Sequence, residues 1–338
     1  MSLRKTKGLG HRALAALHQT SGILMYHRVA TEPADPWNLC VTPSNFAEQM
    51  EVLSRQAHCV PLTEFARRWI SWRRRVQCAV TFDDGYRDNL VHALPVLERY
   101  GIPATLFIVS AGIGSEREFW WDTLERCVLE PSVLPALLEI EIGGHTHAWT
   151  LASTSRSPDD WRADDDEARD PRQQLFLELW NRLVGIDGEE RERALRQLTA
   201  WAAVCAVPNS PDRLPLNRDE LSELARHPLI TIGSHTAQHA ALTRLPSAER
   251  QRQVLEGRAQ LQAWTGREVD TFSYPYGMHD PETRNLVRNS CFTLACTSRP
   301  AVVTPLAGRW MLPRLQALNM DGDGFSRWLG EWFPQWAA

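Results

Sequence analysis

Two kinds of apolar pattern alternate along the chain. Short apolar runs end in polar or turn-forming residues, and longer stretches carry apolar residues three and four apart. Gly22–Val29 is a run of the first kind and predicts a buried strand. Pro43–Ser54 predicts a helix with Ser44 as its N-cap. Cys78–Phe82 predicts a second strand, ended by Asp83-Asp84-Gly85. Leu90, Leu94 and Leu97 share one face of a helix expected from about Asn89 to Tyr100, with Gly101 as its stop. Ile102–Ser110 then predicts another strand, which makes a βαβ unit and implies a parallel sheet or barrel.

The alternation breaks between about 112 and 228. Leu137–Ile142 and His145–Leu151 predict a hairpin around Gly143-Gly144, and His145 and His147 beside its turn are expected to be exposed. Pro158–Arg172 is dense in charge and predicts a loop, while Leu175–Val184, Glu189–Trp201 and Asn217–Arg226 predict helices. This stretch is an expected insertion covering the mouth of the barrel, because alternation resumes after it. Leu229–Ser234, Val269–Tyr274 and Phe292–Thr297 predict strands, and Ser247–Trp264 and Pro281–Asn289 predict helices. Near the C-terminus Phe325, Trp328, Leu329 and Trp332 fall at i, i+3, i+4 and i+7 and form one apolar helix face. The expected organisation is an N-terminal extension over 1–20 and one domain over 21–338, interrupted at about 112–228.

The 338 residues are 43% apolar and 23% charged, ordinary for a globular protein, and the net charge of -4 argues against a nucleic-acid partner. Seven scattered cysteines without a C-x-x-C pair predict buried, reduced thiols and a reducing compartment. No apolar stretch reaches ~18 residues, so no membrane span is expected. The N-terminus is basic, but His18 and Gln19 interrupt its short apolar stretch, which is too short for an export signal. A cytoplasmic location follows, with peripheral membrane contact left open.

Candidate chemistry gathers at strand ends. Adjacent carboxylates after an apolar strand are costly unless solvated, paired or bound to a cation. An ideal strand would point Asp83 and Asp84 to opposite faces, and Gly85 relaxes that rule. The same residues also suit a plain strand-ending turn. His235 and His239, four apart after the predicted strand Leu229–Ser234, would face one way on a helical backbone. One aspartate with two histidines is a three-ligand set that leaves a position for water. Phe272-Ser273-Tyr274-Pro275-Tyr276-Gly277 reads as a strand followed by a turn.

Taken in order, Thr81-Phe82-Asp83-Asp84-Gly85, the run from Ser234 to His239 and Tyr274-Pro275-Tyr276-Gly277 resemble the first three motifs of the polysaccharide deacetylases, the NodB-homology group. The resemblance covers roughly 21–111 and 217–318. It implies a distorted (β/α) barrel of about seven strands, here with a mixed α/β insertion. It also implies one divalent metal, commonly zinc, and hydrolysis of N-acetyl groups on a saccharide. Carried over, Asp83 is the general base, Asp84, His235 and His239 are the metal ligands, and the backbone N–H of Tyr276 donates to the substrate oxyanion.

Two departures stand out. The family's third motif usually carries an arginine before its proline, where this chain has Phe272 and Ser273; Arg314 or Arg309 is the expected substitute. The family's catalytic histidine near the C-terminus has no counterpart after His279. Leu24-Met25-Tyr26-His27-Arg28-Val29 resembles the start of the circularly permuted poly-N-acetylglucosamine deacetylases, which makes His27 the expected acid. Among fourteen tryptophans, Trp37, Trp120 and Trp121 are candidates to stack on sugar rings. The expected substrate is an N-acetylated saccharide or its precursor. Two other readings stay open: an amidohydrolase of small amides, and a catalytically inactive carbohydrate-binding relative.

Overall fold

Nine consecutive residues, Val76–Asp84, are buried, a run that suits a central strand covered on both faces. The computed structural model describes residues 21–67, 76–151, 161–163, 167–186, 188–205, 211–304, 306–333 and 336. The expected extension over 1–20 lies outside the described residues, as does part of the charged stretch Pro158–Arg172.

Along the chain the strands are β1 (Gly22–Tyr26), β2 (Arg28–Val29), β3 (Cys40–Val41), β4 (Ala57–Cys59), β5 (Val76–Asp84), β6 (Ala104–Ile108), β7 (Leu137–Ile142), β8 (His145–Thr150), β9 (Ile230–Ser234), β10 (Thr271–Ser273), β11 (Leu294–Cys296) and β12 (Leu315–Gln316). The α-helices are α1 (Pro43–Gln56), α2 (Leu62–Arg67), α3 (Leu94–Tyr100), α4 (Trp120–Val128), α5 (Pro171–Leu183), α6 (Gly188–Trp201), α7 (Arg218–Arg226), α8 (Ser247–Thr265), α9 (Pro281–Asn289) and α10 (Gly322–Trp332).

The chain divides into two compact units. One comprises Glu32–Leu39 and Ser115–Pro215; the other holds the remaining described residues, with α7 among them. In this larger unit the strand order is β11-β10-β9-β6-β5-β1-β12, all parallel, with β4 pairing the start of β5. A parallel bridge between Cys296 and Leu312 joins the β11 edge to the segment leading into β12. The sheet thus curls into the distorted (β/α) barrel, and its first and last strands lie side by side.

Register brings the strand ends to a common edge. Tyr26 pairs with Phe82, Asp84 with Ile108, Ile108 with Ser234, and Ser234 with Phe272. His27, Asp83, Asp84, His235 and the Tyr274–Gly277 turn therefore leave neighbouring strands at their carboxyl ends, where α/β folds gather their ligands.

Local chemistry explains several differences from expectation. Thr42, not Ser44, caps α1: its hydroxyl accepts the Asn45 N–H at 3.3 Å, because Pro43 takes the first helical position. The helix expected from Asn89 opens with a π-helical turn, Asn89–Ala93, and becomes α-helical at Leu94. Gly101 ends it at φ +62°. No two of the seven cysteines form a disulfide, but Cys205 and Cys291 are exposed and Cys59 is only half-buried. Among the described residues no helix is long and apolar enough to cross a membrane.

The smaller unit has its own interior. β7 and β8 form the antiparallel hairpin, with Leu138, Ile140 and Ile142 buried on one face of β7. His145 and His147 lie on β8, the first of them exposed. Trp120 and Trp121 are 6% and 4% exposed. Trp121 stacks on Phe119 at 4.6 Å, and Trp120 packs on Trp180 at 4.8 Å with Arg191 over its ring. Trp37 packs on Trp180 at 4.4 Å. The expectation that Trp120 and Trp121 are sugar platforms is thereby corrected: stacking needs an open ring face, and theirs are spent on the unit's own core.

Candidate active site

Asp83 and Asp84 end β5, and the backbone solves the problem of their alternation. Asp84 is left-handed, at φ +74°, and Gly85 follows at φ +92°. That turn swings the second carboxylate back towards the first. Asp83 Oδ2 lies 3.8 Å and Asp84 Oδ1 3.6 Å from the same atom, His235 Nε2. A Cβ on Gly85 would meet Ile108 Cδ1 at 2.8 Å, so the site needs glycine for space as well as conformation.

His235 and His239 converge by a different route from the helical one expected. Residues 236–238 form a turn, with Thr236 at φ +67° and His239 at φ +53°. The rings still lie 4.8 Å apart, and His239 Nε2 is 3.4 Å from Asp84 Oδ1. Helix α8 braces the turn. Gln253 accepts the Ala237 N–H on its backbone carbonyl and the Gln238 N–H on its side-chain oxygen, each at 2.9 Å. Gly257 lets the helix approach: a Cβ there would stand 2.7 Å from the Thr236 carbonyl carbon.

Asp84, His235 and His239, all buried, offer one carboxylate oxygen and two imidazole nitrogens within 4.8 Å of one another. A tetrahedral ion with bonds of about 2.1 Å sets its ligands about 3.4 Å apart, so the separations fit a small divalent metal. His235 Nδ1 donates to the Ser273 carbonyl at 2.8 Å, which turns the lone pair of Nε2 towards Asp84. Burial, opposed in part by the Asp83 charge, lowers the His235 pKa and keeps the ring in its neutral, ligating form.

Asp83 faces a different partner. Arg314 Nη1 donates to Oδ1 at 2.7 Å and Nη2 to Oδ2 at 2.6 Å. Burial pushes the Asp83 pKa up, but the charge of Arg314 and its hydrogen bonds outweigh it, so the carboxyl is held well below the usual range. Arg314 is itself buried; its Nε donates to the Thr297 carbonyl and its Nη2 to Ser273 Oγ. Ser273 Oγ in turn donates to Asp83 Oδ2 at 3.3 Å. Ser273 was missed as a sequence-level candidate, although it occupies a position where the usual arginine is absent.

His27 follows β1, next to β5, and Asp83 and Arg314 are among the groups that shift its titration. Burial is the main reason its pKa falls to about 4. Tyr276 adopts φ +58°, ψ +11° in the turn after β10, and its ring meets that of His239 edge-on at 4.5 Å.

The polysaccharide deacetylase family profile matches residues 73–178 and 192–295, more than half of the chain. The chain belongs to the polysaccharide deacetylase family. Among curated relatives of this deacetylase, YxkH of Bacillus subtilis, also named for the family, is 19% identical over 311 residues, covering 91% of this chain and 75% of its own. Among solved structures, IcaB from Ammonifex degensii has 17% identity and a TM-score of 0.55, covering 93% of this chain and 97% of that one. The Streptococcus pyogenes deacetylase PplD, solved with acetate, has 14% identity and a TM-score of 0.56, covering 91% and 97%. At these identities the two structures speak for the deacetylase fold.

Proposed function

We propose that this chain is a metal-dependent N-deacetylase that hydrolyses the acetamido C–N bond of an N-acetylated saccharide or saccharide precursor. The observation that carries the reading is the meeting of Asp83 and Asp84 on His235, with His239 completing a three-donor set. Asp84, His235 and His239 would hold one divalent ion, with zinc suited to one oxygen and two imidazole donors. Such an ion would supply Lewis acidity for the acetyl carbonyl and for the attacking water.

The protein's own groups do the rest. Asp83, ionised and fixed by Arg314, takes the proton of the attacking water. Arg314 lowers the basicity of Asp83 while setting its aim, so the transfer gains more from placement than from a matched pKa. The backbone N–H of Tyr276 donates to the oxygen that becomes anionic. His27 delivers a proton to the nitrogen as the C–N bond breaks, and the products are acetate and the free amine. Burial keeps His27 neutral at rest, so the proton it delivers is the one Asp83 took from the attacking water, passed to the ring before the C–N bond breaks and leaving Asp83 ionised again. The Arg314–Asp83 pair weighs against an inactive relative, since it restores what the third motif lacks. Seven cysteines without a disulfide support a reducing, cytoplasmic setting.

The test is acetate release from N-acetylglucosamine oligomers and from small acetylated amines, by metal-loaded, chelated and Asp83→Asn protein. Release from the saccharide that chelation abolishes and Asp83→Asn lowers ~10²–10⁴-fold is expected. Turnover confined to the small amines, or untouched by chelation, would overturn the reading.

A further inference from the structure

Histidines that ligate metals or move protons usually have their far nitrogen held, and that bond sets the aim of the ring. His235 has such a bond, from Nδ1 to the Ser273 carbonyl. His27 differs: among the described residues its Nδ1 has no hydrogen-bond partner. The aim of its ring therefore depends on how its backbone is held.

Two consecutive side chains grip that backbone just after the ring, on either side of Arg28. Asn89 Nδ2 donates to the carbonyl of His27 at 2.9 Å. Asp88 Oδ1 accepts the N–H of Val29 at 3.2 Å, and Asp88 Oδ2 accepts from Arg28 Nε at 3.0 Å. Asn89 Nδ2 also donates to Asp88 Oδ1 at 2.8 Å, which ties the two halves together. Asp88 is fully buried and Asn89 nearly so, and the Arg28 guanidinium lies 4.8 Å over the Tyr86 ring.

The chain path gives the contact its meaning. At His27 the backbone leaves the barrel sheet, since β1 pairs with β5 up to Tyr26 while β2 pairs with β3. Asp88 and Asn89 sit just downstream of Asp83 and Asp84, at the start of the π-helical turn, a departure from α-geometry that often marks functional sites. A buried ion pair such as Asp88–Arg28 adds little net stability over apolar packing of the same volume. What it does supply is a single conformation for the three residues centred on Arg28.

We propose that Asp88 and Asn89 are positioning residues for His27, so that one stretch from Asp83 to Asn89 carries the base and a metal ligand and also aims the acid. The inference rests on the reading of His27 as the acid.

A double-mutant cycle tests both separately, using metal-loaded full-length protein and acetate release from an N-acetylglucosamine oligomer. Asn89→Ala is expected to lower kcat about 10–100-fold, the scale of a misaimed group, with KM and metal stoichiometry unchanged. In a His27→Ala background the same change is expected to cost nothing further. Asp88→Asn, which keeps shape and loses charge, should behave alike and serves where Asn89→Ala does not fold. An equal loss in both backgrounds, or wild-type kcat in both single variants, would overturn the positioning role. Near-normal turnover by His27→Ala would instead defeat the assignment of the acid, and the inference with it.

Discussion

Arg314 grips both oxygens of Asp83, at 2.7 and 2.6 Å, although the two residues stand 231 positions apart in the chain. The pair forms because β1 lies between β5 and β12, which carries the last strand back to the first. Both groups are almost fully buried, so the pair is fork-to-fork in a dry site.

Removing the guanidinium leaves a buried carboxylate without its counter-charge. Arg314→Met should therefore lose about 3–5 kcal/mol at neutral pH. The folded pKa of Asp83 is depressed, so the pair's contribution is present above the unfolded carboxylate pKa and is lost as pH falls below it. The gap between variant and wild type should then narrow in acid. Denaturant melts at pH 7 and pH 3 check this, and an equal gap at both pH values would show that the pair is not coupled as the contacts imply.

A metal held by Asp84, His235 and His239 binds the folded chain only, so it should raise the melting temperature with the logarithm of its free concentration above the Kd. His239→Ala should lower metal stoichiometry and abolish the rise. Its neighbour Gln238, outside the donor set, should tolerate alanine. Thermal melts with added zinc, paired with metal analysis, measure both effects. A His239→Ala protein that still gains stability from zinc would remove that residue from the site.

Much of this arrangement was legible in the chain before its structure. Short, mainly apolar runs marked β1, β5, β6 and β9, because burial on both faces leaves them little choice of composition. The two- and three-residue strands β3, β4 and β12 were not legible, being too short to show a period. The pairing of Asp83 with Asp84 was visible, but the left-handed turn at Asp84 that makes them converge was not. The His235–His239 spacing suggested a helix, and the backbone instead uses two left-handed residues, a conformation uncommon outside glycine and rarest for a β-branched residue such as Thr236. Trp120 and Trp121 show the limit from the other side, because composition cannot separate a core ring from a sugar platform.

Gly257 carries a prediction that sequence alone would not suggest. Alanine is the better helix former, and in an open helix Gly→Ala stabilises. Here the added methyl would press on Thr236 and Ala237 backbone atoms at 2.7 and 2.9 Å. Gly257→Ala should therefore weaken metal binding and lower the melting temperature, even though it raises helix propensity. Calorimetric titration with zinc reads the first effect directly. Unchanged affinity and a higher melting temperature would mean that α8 does not brace the metal turn.

His27 supplies the last prediction, through the linkage between its burial and pH. In the unfolded chain the imidazole titrates near its ordinary value of about 6.5. In the folded chain burial, reinforced by the Arg314 charge and opposed by Asp83, lowers it to about 4. Between those values the unfolded state binds a proton that the folded state refuses. Stability contributed by the neutral ring is thus present above about 6.5 and is lost as pH falls towards 4. A bound cation nearby would push the folded value lower still and leave the sign unchanged. Replacing His27 by glutamine removes the titrating group, so wild type should lose more melting temperature than His27→Gln between pH 7 and pH 4.5, by on the order of a few degrees. The comparison cancels the other acid-sensitive groups, because both proteins keep them. Parallel curves across that window would mean that the ring titrates as an exposed histidine does, and the desolvated His27 would have to be given up.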